Sequence, residues 1–291
     1  MTHRHKLEHH RHSLNEIRDI MNSMKTLAYM ETRKLARFLD AQHSVVQNIE
    51  DVATDFLSYH PGILPQAAKS KTPKTVYLLV GTERGFCGDF NHTLLNQLAK
   101  NTPADLPEPP MLIGIGHKLS VLLENNEQVI ALFDGASVVE EVTTLIQQIV
   151  NKLARLQEQF GILSVNCFYH DADNILQKEL LPSFQQLANQ PVRFPHPPLL
   201  NLPSRDFLME LTEHYLFAAL HEILYTSLMQ ENHNRVAHLE GAINHLDEES
   251  SQLAQQCNTL RQEEIIEEIE VILLSATNLV EEDALRKNQK K

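Results

Sequence analysis

The residues best able to do chemistry are two glycine clusters, a crowd of histidines and three cysteines, and each stops short of a complete motif. Gly81-Thr-Glu-Arg-Gly85-Phe-Cys-Gly88 could offer backbone N–H groups to a phosphate. Its spacing differs from that of a dinucleotide fingerprint, however, and it lacks the Lys-Ser/Thr pair of a P-loop. Gly114-Ile-Gly116-His-Lys-Leu lacks the third glycine. Both clusters read as tight turns after strands, and no nucleotide or other cofactor is assigned. His3, His5, His9, His10 and His12 could take up a metal ion, but with no fixed fold around them they read as a solvated tail. His238 and His245 lie two helical turns apart, too far to share an ion. Cys87, Cys167 and Cys257 are widely spaced and odd in number, which gives neither a disulfide framework nor metal spacing and suits a reducing compartment. No Ser/His/Asp or Cys/His constellation can be assembled, and pairs such as Glu263 and Glu264 read as solvated helix surface. The expectation is a chain with no catalytic residue and no metal ligand set.

The elements that would position these residues follow from where the helix breakers sit. All 13 prolines lie between Pro61 and Pro203, and eight of the 9 glycines lie between Gly62 and Gly161, with Gly241 the exception. Proline and glycine are disfavoured inside helices, so two long helices are expected, over 13–58 and 204–282, around an inserted domain over 75–200. Inside the insert, Thr75–Val80, Met111–Ile115, Gln128–Phe133 and Leu163–Tyr169 read as buried parallel strands, with a helix over Val138–Phe160. Such alternation implies an α/β layer with a mostly parallel sheet. With 42% apolar residues the chain is not disordered, and no apolar run approaches the roughly 18–20 residues that cross a bilayer. The polar, histidine-rich start does not read as a signal peptide.

A strict 3-4 spacing from Leu14 visits Ile17, Met21, Met24, Ala28, Glu31, Leu35, Phe38, Gln42, Val45, Ile49, Val52 and Phe56, and all but Glu31 and Gln42 are apolar. Ser13 and Glu16 form a capping-box pattern at the expected start. The far end repeats the seam through Val236, Leu239, Ile243, Leu246, Ser250, Leu253, Cys257 and Leu260. A broader stripe over Phe207–Leu228 suits packing on a globular domain. After Leu260 the register slips into Ile265, Ile266, Ile269 and Ile272, and a helix of roughly 120 Å must meet another protein along part of its length. The formal charge is −13, yet residues 1–40 hold 8 Lys/Arg against 5 Asp/Glu, while residues 204–291 hold 7 against 17. The opposite signs suit two helices lying side by side as an antiparallel coiled coil. The acidic balance argues against a nucleic-acid partner. Gly241, inside the seam, suggests a close approach by the partner helix or a neighbour's loop.

The sequence resembles the gamma subunit family of the F-type ATP synthase. Ile17, Arg18, Ile20, Asn22, Lys25, Met30 and Glu31 match the family run I-R-S-I-K-N-T-Q-K-I-T-K-A-M-E. Arg84, Gly85, Cys87, Gly88 and Asn91 match T-S-D-R-G-L-C-G-G-L-N. Asn258, Arg261, Gln262, Ile265, Glu268, Ile269 and Ile272 match N-x-x-R-Q-x-x-I-T-x-E-I-x-E-I, and Arg235 sits at the family's spacing, 26 residues before Arg261. Ile266 replaces the family's threonine, Asp89 a glycine and Glu83 an aspartate. The helix also runs beyond the family's usual end into a basic tail, Arg286–Lys291.

The resemblance implies an antiparallel coiled coil with an inserted Rossmann-like α/β domain that binds no nucleotide. It also implies a non-catalytic rotor shaft, turning inside a hexamer of alpha and beta subunits and standing with the epsilon subunit on a membrane c-subunit ring. By the same resemblance Met30, Arg235, Arg261, Gln262 and Glu268 face the hexamer, and the complex sits on the cytoplasmic face of a bacterial membrane. A coiled-coil tether or chaperone and a nucleotide-dependent α/β enzyme are the competing readings.

Overall fold

A computed structural model describes residues 3–60, 62–64, 73–102, 108–172, 174–187 and 190–288, with side chains as far as residue 273. The last three residues of the basic tail lie outside this set. Helix α1 (His3–Tyr59) and helix α5 (Ser204–Asn288, 85 residues) bracket strands β1 (Lys74–Val80), β2 (Met111–Ile115), β3 (Val129–Phe133), β4 (Leu163–Asp171) and β5 (Asn174–Leu181). Helices α2 (Phe90–Asn101), α3 (His117–Leu123) and α4 (Val142–Phe160) lie between the strands. The breakers act as expected: α1 ends just before Pro61 and α5 begins just after Pro203. The start of α1 differs from expectation. It lies at His3, so Ser13 is inside the helix rather than capping it, and the histidines belong to helical turns rather than to a tail.

The chain forms two compact units, one made of Thr26–His238 and the other of Met1–Lys25 with Leu239–Lys291. Both long helices contribute to each unit.

In the larger unit the strand order is β3-β2-β1-β4-β5, with the first four strands parallel and β5 antiparallel to β4. Central β1 alternates between two cores, as strand geometry requires. Val76, Leu78 and Val80 face a core shared with α4, with Leu35, Phe56 and Leu57 of α1 and with Leu220, Ile223 and Leu224 of α5. Tyr77 and Leu79 face a smaller core with Leu94 of α2, Leu119 and Leu123 of α3, and Phe168. Burying each such Leu, Val or Phe contributes about 1.5–3 kcal/mol. Here α1 and α5 run antiparallel: Gln42 Nε2 donates to Ala218 O at 3.0 Å, His43 meets Glu222 at 2.7 Å and His60 meets Ser204 at 3.3 Å.

The 3-4 seam on α1 does not hold through this unit. Phe38, Val45 and Val52 are 45–47% exposed, while Val46, Ala53 and Leu57, one residue later in two cases, are buried. From Leu35 to Val46 the buried face advances by 11 residues, close to the straight-helix period of 3.6 and not the 3.5 of a heptad. A helix lying on a sheet-and-helix core follows that core, whereas a helix with one partner follows a heptad.

In the smaller unit the heptad is kept on α5, where Leu239, Ile243, Leu253 and Cys257 are buried. Pairs again run antiparallel: Lys25–Glu240 at 3.9 Å, Arg18–Asp247 at 3.3 Å, Asn15–Ser250 at 3.3 Å and Arg4–Glu264 at 2.8 Å. Basic residues of the first helix meet acidic residues of the last, which is the arrangement the opposite charges of the two ends suggested. These exposed or half-exposed pairs set register more than stability.

Gly241 is not a point of close approach within this chain, since a Cβ built there meets nothing within 4 Å. Gly241→Ala should therefore stabilise the helix by about 0.5–1 kcal/mol. The measurement is the thermal midpoint of the helical signal in circular dichroism, and a lower midpoint for the variant would show that the glycine's backbone freedom is needed.

Candidate functional site

A densely hydrogen-bonded polar structure forms at the turn that follows β1, which holds Arg84, Gly85, Cys87, Gly88 and Asn91. Its near end is fixed by Asn91, whose Oδ1 accepts from Thr82 N at 3.0 Å while its Nδ2 donates to Thr82 Oγ1 at 2.9 Å. Gly88 and Phe86 both adopt positive φ, near 64°. At Gly88 the positive φ favours glycine, and a Cβ there would require the exposed His238 imidazole to move.

The far side of the turn is held by α5. Glu231 and Arg235 are only 3% and 5% exposed and form an i, i+4 ion pair. The Glu231 carboxylate accepts from the backbone N–H of Glu83 at 3.3 Å and of Arg84 at 3.2 Å. The Arg235 guanidinium donates through Nε to Gly85 O at 3.1 Å, through Nη1 to Asn232 Oδ1 at 2.8 Å and through Nη2 to Cys87 Sγ at 3.5 Å. The Cys87 thiol also lies within 3.4–3.6 Å of the carbonyls of Arg84, Gly85 and Glu231. Burial pushes that thiol up to about 12 against the opposing pull of Arg235, so it stays a protonated donor and is a poor nucleophile. Burial also raises the Glu231 carboxyl, and Arg235 with the two backbone N–H groups works against that rise.

A second carboxylate closes the strand ends. Glu83 Oε2 accepts from Gly135 N at 2.6 Å and His117 N at 2.9 Å, which ties together the segments after β1, β2 and β3. Arg84 turns outward and donates through Nε to Ser137 Oγ at 3.0 Å. The backbone donors that a nucleotide-dependent enzyme would aim at phosphate are thus aimed at Glu83 and Glu231. The arrangement is built to hold a joint and presents no nucleophile beside a base.

The structure therefore brings Arg235 together with Gly85 and Cys87. Arg235 was expected on the helix surface; it is buried, because its fork fits the carbonyl, amide and carboxylate acceptors around the turn. Met30 is 60% exposed in the same compact unit. Arg261, Gln262 and Glu268 belong to the other unit and are exposed on α5, beside the exposed Ile265, Ile266 and Ile269. Sequence reasoning missed Glu231 and Asn232. Their signal was present: with Arg235 they continue the stripe of Leu224 and Leu228 toward Leu239, so charged groups occupy the core-facing side of the helix.

A family model described as ATP synthase matches residues 4–279. The chain belongs to the ATP synthase family. Its named relatives are gamma chains. That of Clostridium beijerinckii is 24% identical over 274 residues, and that of Clostridium botulinum is 22% identical over 268 residues; each match covers 90% of this chain and 93% of the relative. Among solved structures, a chain of the Euglena gracilis mitochondrial ATP synthase (OSCP/F1/c-ring, rotational state 3) shares the fold. Its TM-score is 0.59 at 15% identity, covering 95% of this chain and 94% of that one.

Removing one member of a buried ion pair leaves the other charge uncompensated and costs about 3–5 kcal/mol. Glu231→Ala should destabilise the α/β unit by that amount, read from urea unfolding followed by its tyrosine fluorescence. A loss below about 1 kcal/mol, the level of an exposed pair, would show that the clasp does not hold the unit together.

Proposed function

We propose that this chain is the gamma-type central-stalk subunit of a rotary ATP synthase, coupling ion flow through a membrane ring to ATP synthesis or hydrolysis in a hexamer of alpha and beta subunits. It is not an enzyme by itself. The observation that carries this reading is the family match along almost the whole chain, joined to an 85-residue helix whose far segment leaves apolar and charged side chains exposed.

A rotor needs a stiff element that reaches its partners and a base that anchors it. The antiparallel pairing of α1 with α5 within each unit, and the kept heptad of the smaller one, support a coiled-coil shaft. The parallel order β3-β2-β1-β4 supports a Rossmann-like base. Coupling requires that the shaft's contacts with open and closed beta subunits differ in free energy, since a shaft that binds both alike shifts nothing. Arg261, Gln262 and Glu268 suit that role, being exposed, charged or amide-bearing, and set among isoleucines that a partner surface would cover. Met30 offers an exposed apolar contact. Arg235 acts at one remove, by fixing the turn of Arg84, Gly85, Cys87, Gly88 and Asn91. The epsilon subunit and the c-subunit ring are the partners at the base, on the cytoplasmic face of a bacterial membrane. No helix among the described residues is long and apolar enough to cross that membrane, in keeping with a peripheral subunit.

Reconstitution with the cognate alpha and beta subunits tests the reading. ATPase activity should depend on this chain, and activity that assembles equally well without it would rule out a central shaft. In the complete complex, Arg261→Ala with Gln262→Ala should lower turnover about three- to tenfold, or roughly 0.7–1.4 kcal/mol, with circular dichroism unchanged. Unaltered turnover would remove these two residues from the coupling surface.

A further inference from the structure

The first turns of α1 carry an arrangement that neither the fold nor the coupling function uses. At 3.6 residues per turn, His5, His9, His12 and Glu16 fall within an arc of about 60°, whereas His3 and His10 lie on the opposite face. All five histidines are exposed. Residues four apart on a helix bring their Cβ atoms within about 5–6 Å, close enough for two imidazoles to reach one ion at roughly 2.0–2.1 Å.

The support behind His5 is already in place. Glu8 Oε2 lies 3.5 Å from His5 Nδ1, and Arg4 donates through Nη1 to Glu8 Oε1 at 2.6 Å and through Nε to Glu264 Oε2 at 2.8 Å. A carboxylate that takes the Nδ1 proton leaves Nε2 as the free lone pair, which is the usual support of a metal-bound histidine. His12, two helical turns from His5, stands with Nε2 3.4 Å from Glu16 Oε1 and takes no part in the pair. As the side chains stand, no three ligands converge among the described residues. A two-histidine chelate needs no third convergent group, and both rings are on the surface one helical turn apart.

We propose that His5 and His9 form a surface chelate for one borderline divalent metal ion of the zinc class. Imidazole suits such ions, and spanning one helical turn fixes the pair in register. The three cysteines, which could compete for the ion, are all buried.

Calorimetric titration of the full chain with zinc chloride tests this. One zinc ion is expected per chain, bound about tenfold or more weakly by His5→Ala and by His9→Ala, while the double variant His3→Ala/His10→Ala binds as the wild type does. These substitutions are at exposed positions, and circular dichroism confirms that each variant is folded. Absence of zinc binding, binding indifferent to His5 and His9, or an equal loss in the His3/His10 variant would each overturn the chelate; the last outcome would mean diffuse binding by a histidine-rich segment.

Discussion

A guanidinium and a carboxylate buried against each other on α5 are the constraint from which the larger unit is organised. Neither Glu231 nor Arg235 can lose its partner without stranding a buried charge, and between them they engage Glu83, Arg84, Gly85, Cys87 and Asn232. The turn after β1 is therefore not a free loop. It connects the centre of the sheet to the longest helix through directional bonds rather than apolar contact alone. Apolar packing tolerates sliding by a fraction of a residue, but a planar fork with four acceptors does not.

That fixation explains why the sheet and the long helices are treated so differently by the rest of the sequence. Around β1 the chain uses two cores, one on each face of the sheet, and α1 follows the larger with a period near 3.6. In the smaller unit, with only two helical segments to pack, α5 returns to a heptad and acidic residues meet basic ones along it. One helix thus obeys two packing rules in succession, each set by what lies beside it.

Much of the architecture was legible because its signals are local. Proline and glycine placement gave the long helices, and four apolar runs gave the parallel strands, with Met111–Ile115 matching to the residue. What was not legible depends on context. Strand β5 reads Asn174-Ile-Leu-Gln-Lys-Glu-Leu-Leu181, with no alternation of apolar and polar residues, and becomes a strand by pairing along β4. Ser13 looked like a cap because nothing in a capping pattern reveals that the residues upstream, back to His3, are helical. Arg235 looked like a surface grip because spacing along a helix does not say which neighbours a guanidinium will find. The residues expected to meet other subunits rest on family resemblance, whereas the clasp required a view of the turn and the helix together.

The carboxylate of Glu83 has a consequence for a protein that works among nucleotides. The carboxyl ends of parallel strands, with their convergent backbone N–H groups, are where open α/β sheets receive anionic ligands. Here the anion is part of the chain. A carboxylate tethered just beyond the end of β1 competes at the high effective concentration of an intramolecular group, and its negative charge repels any polyphosphate that approaches. The segments after β1, β2 and β3 are thereby tied to one another through a group that the chain carries itself, and the joint is complete as soon as the chain folds.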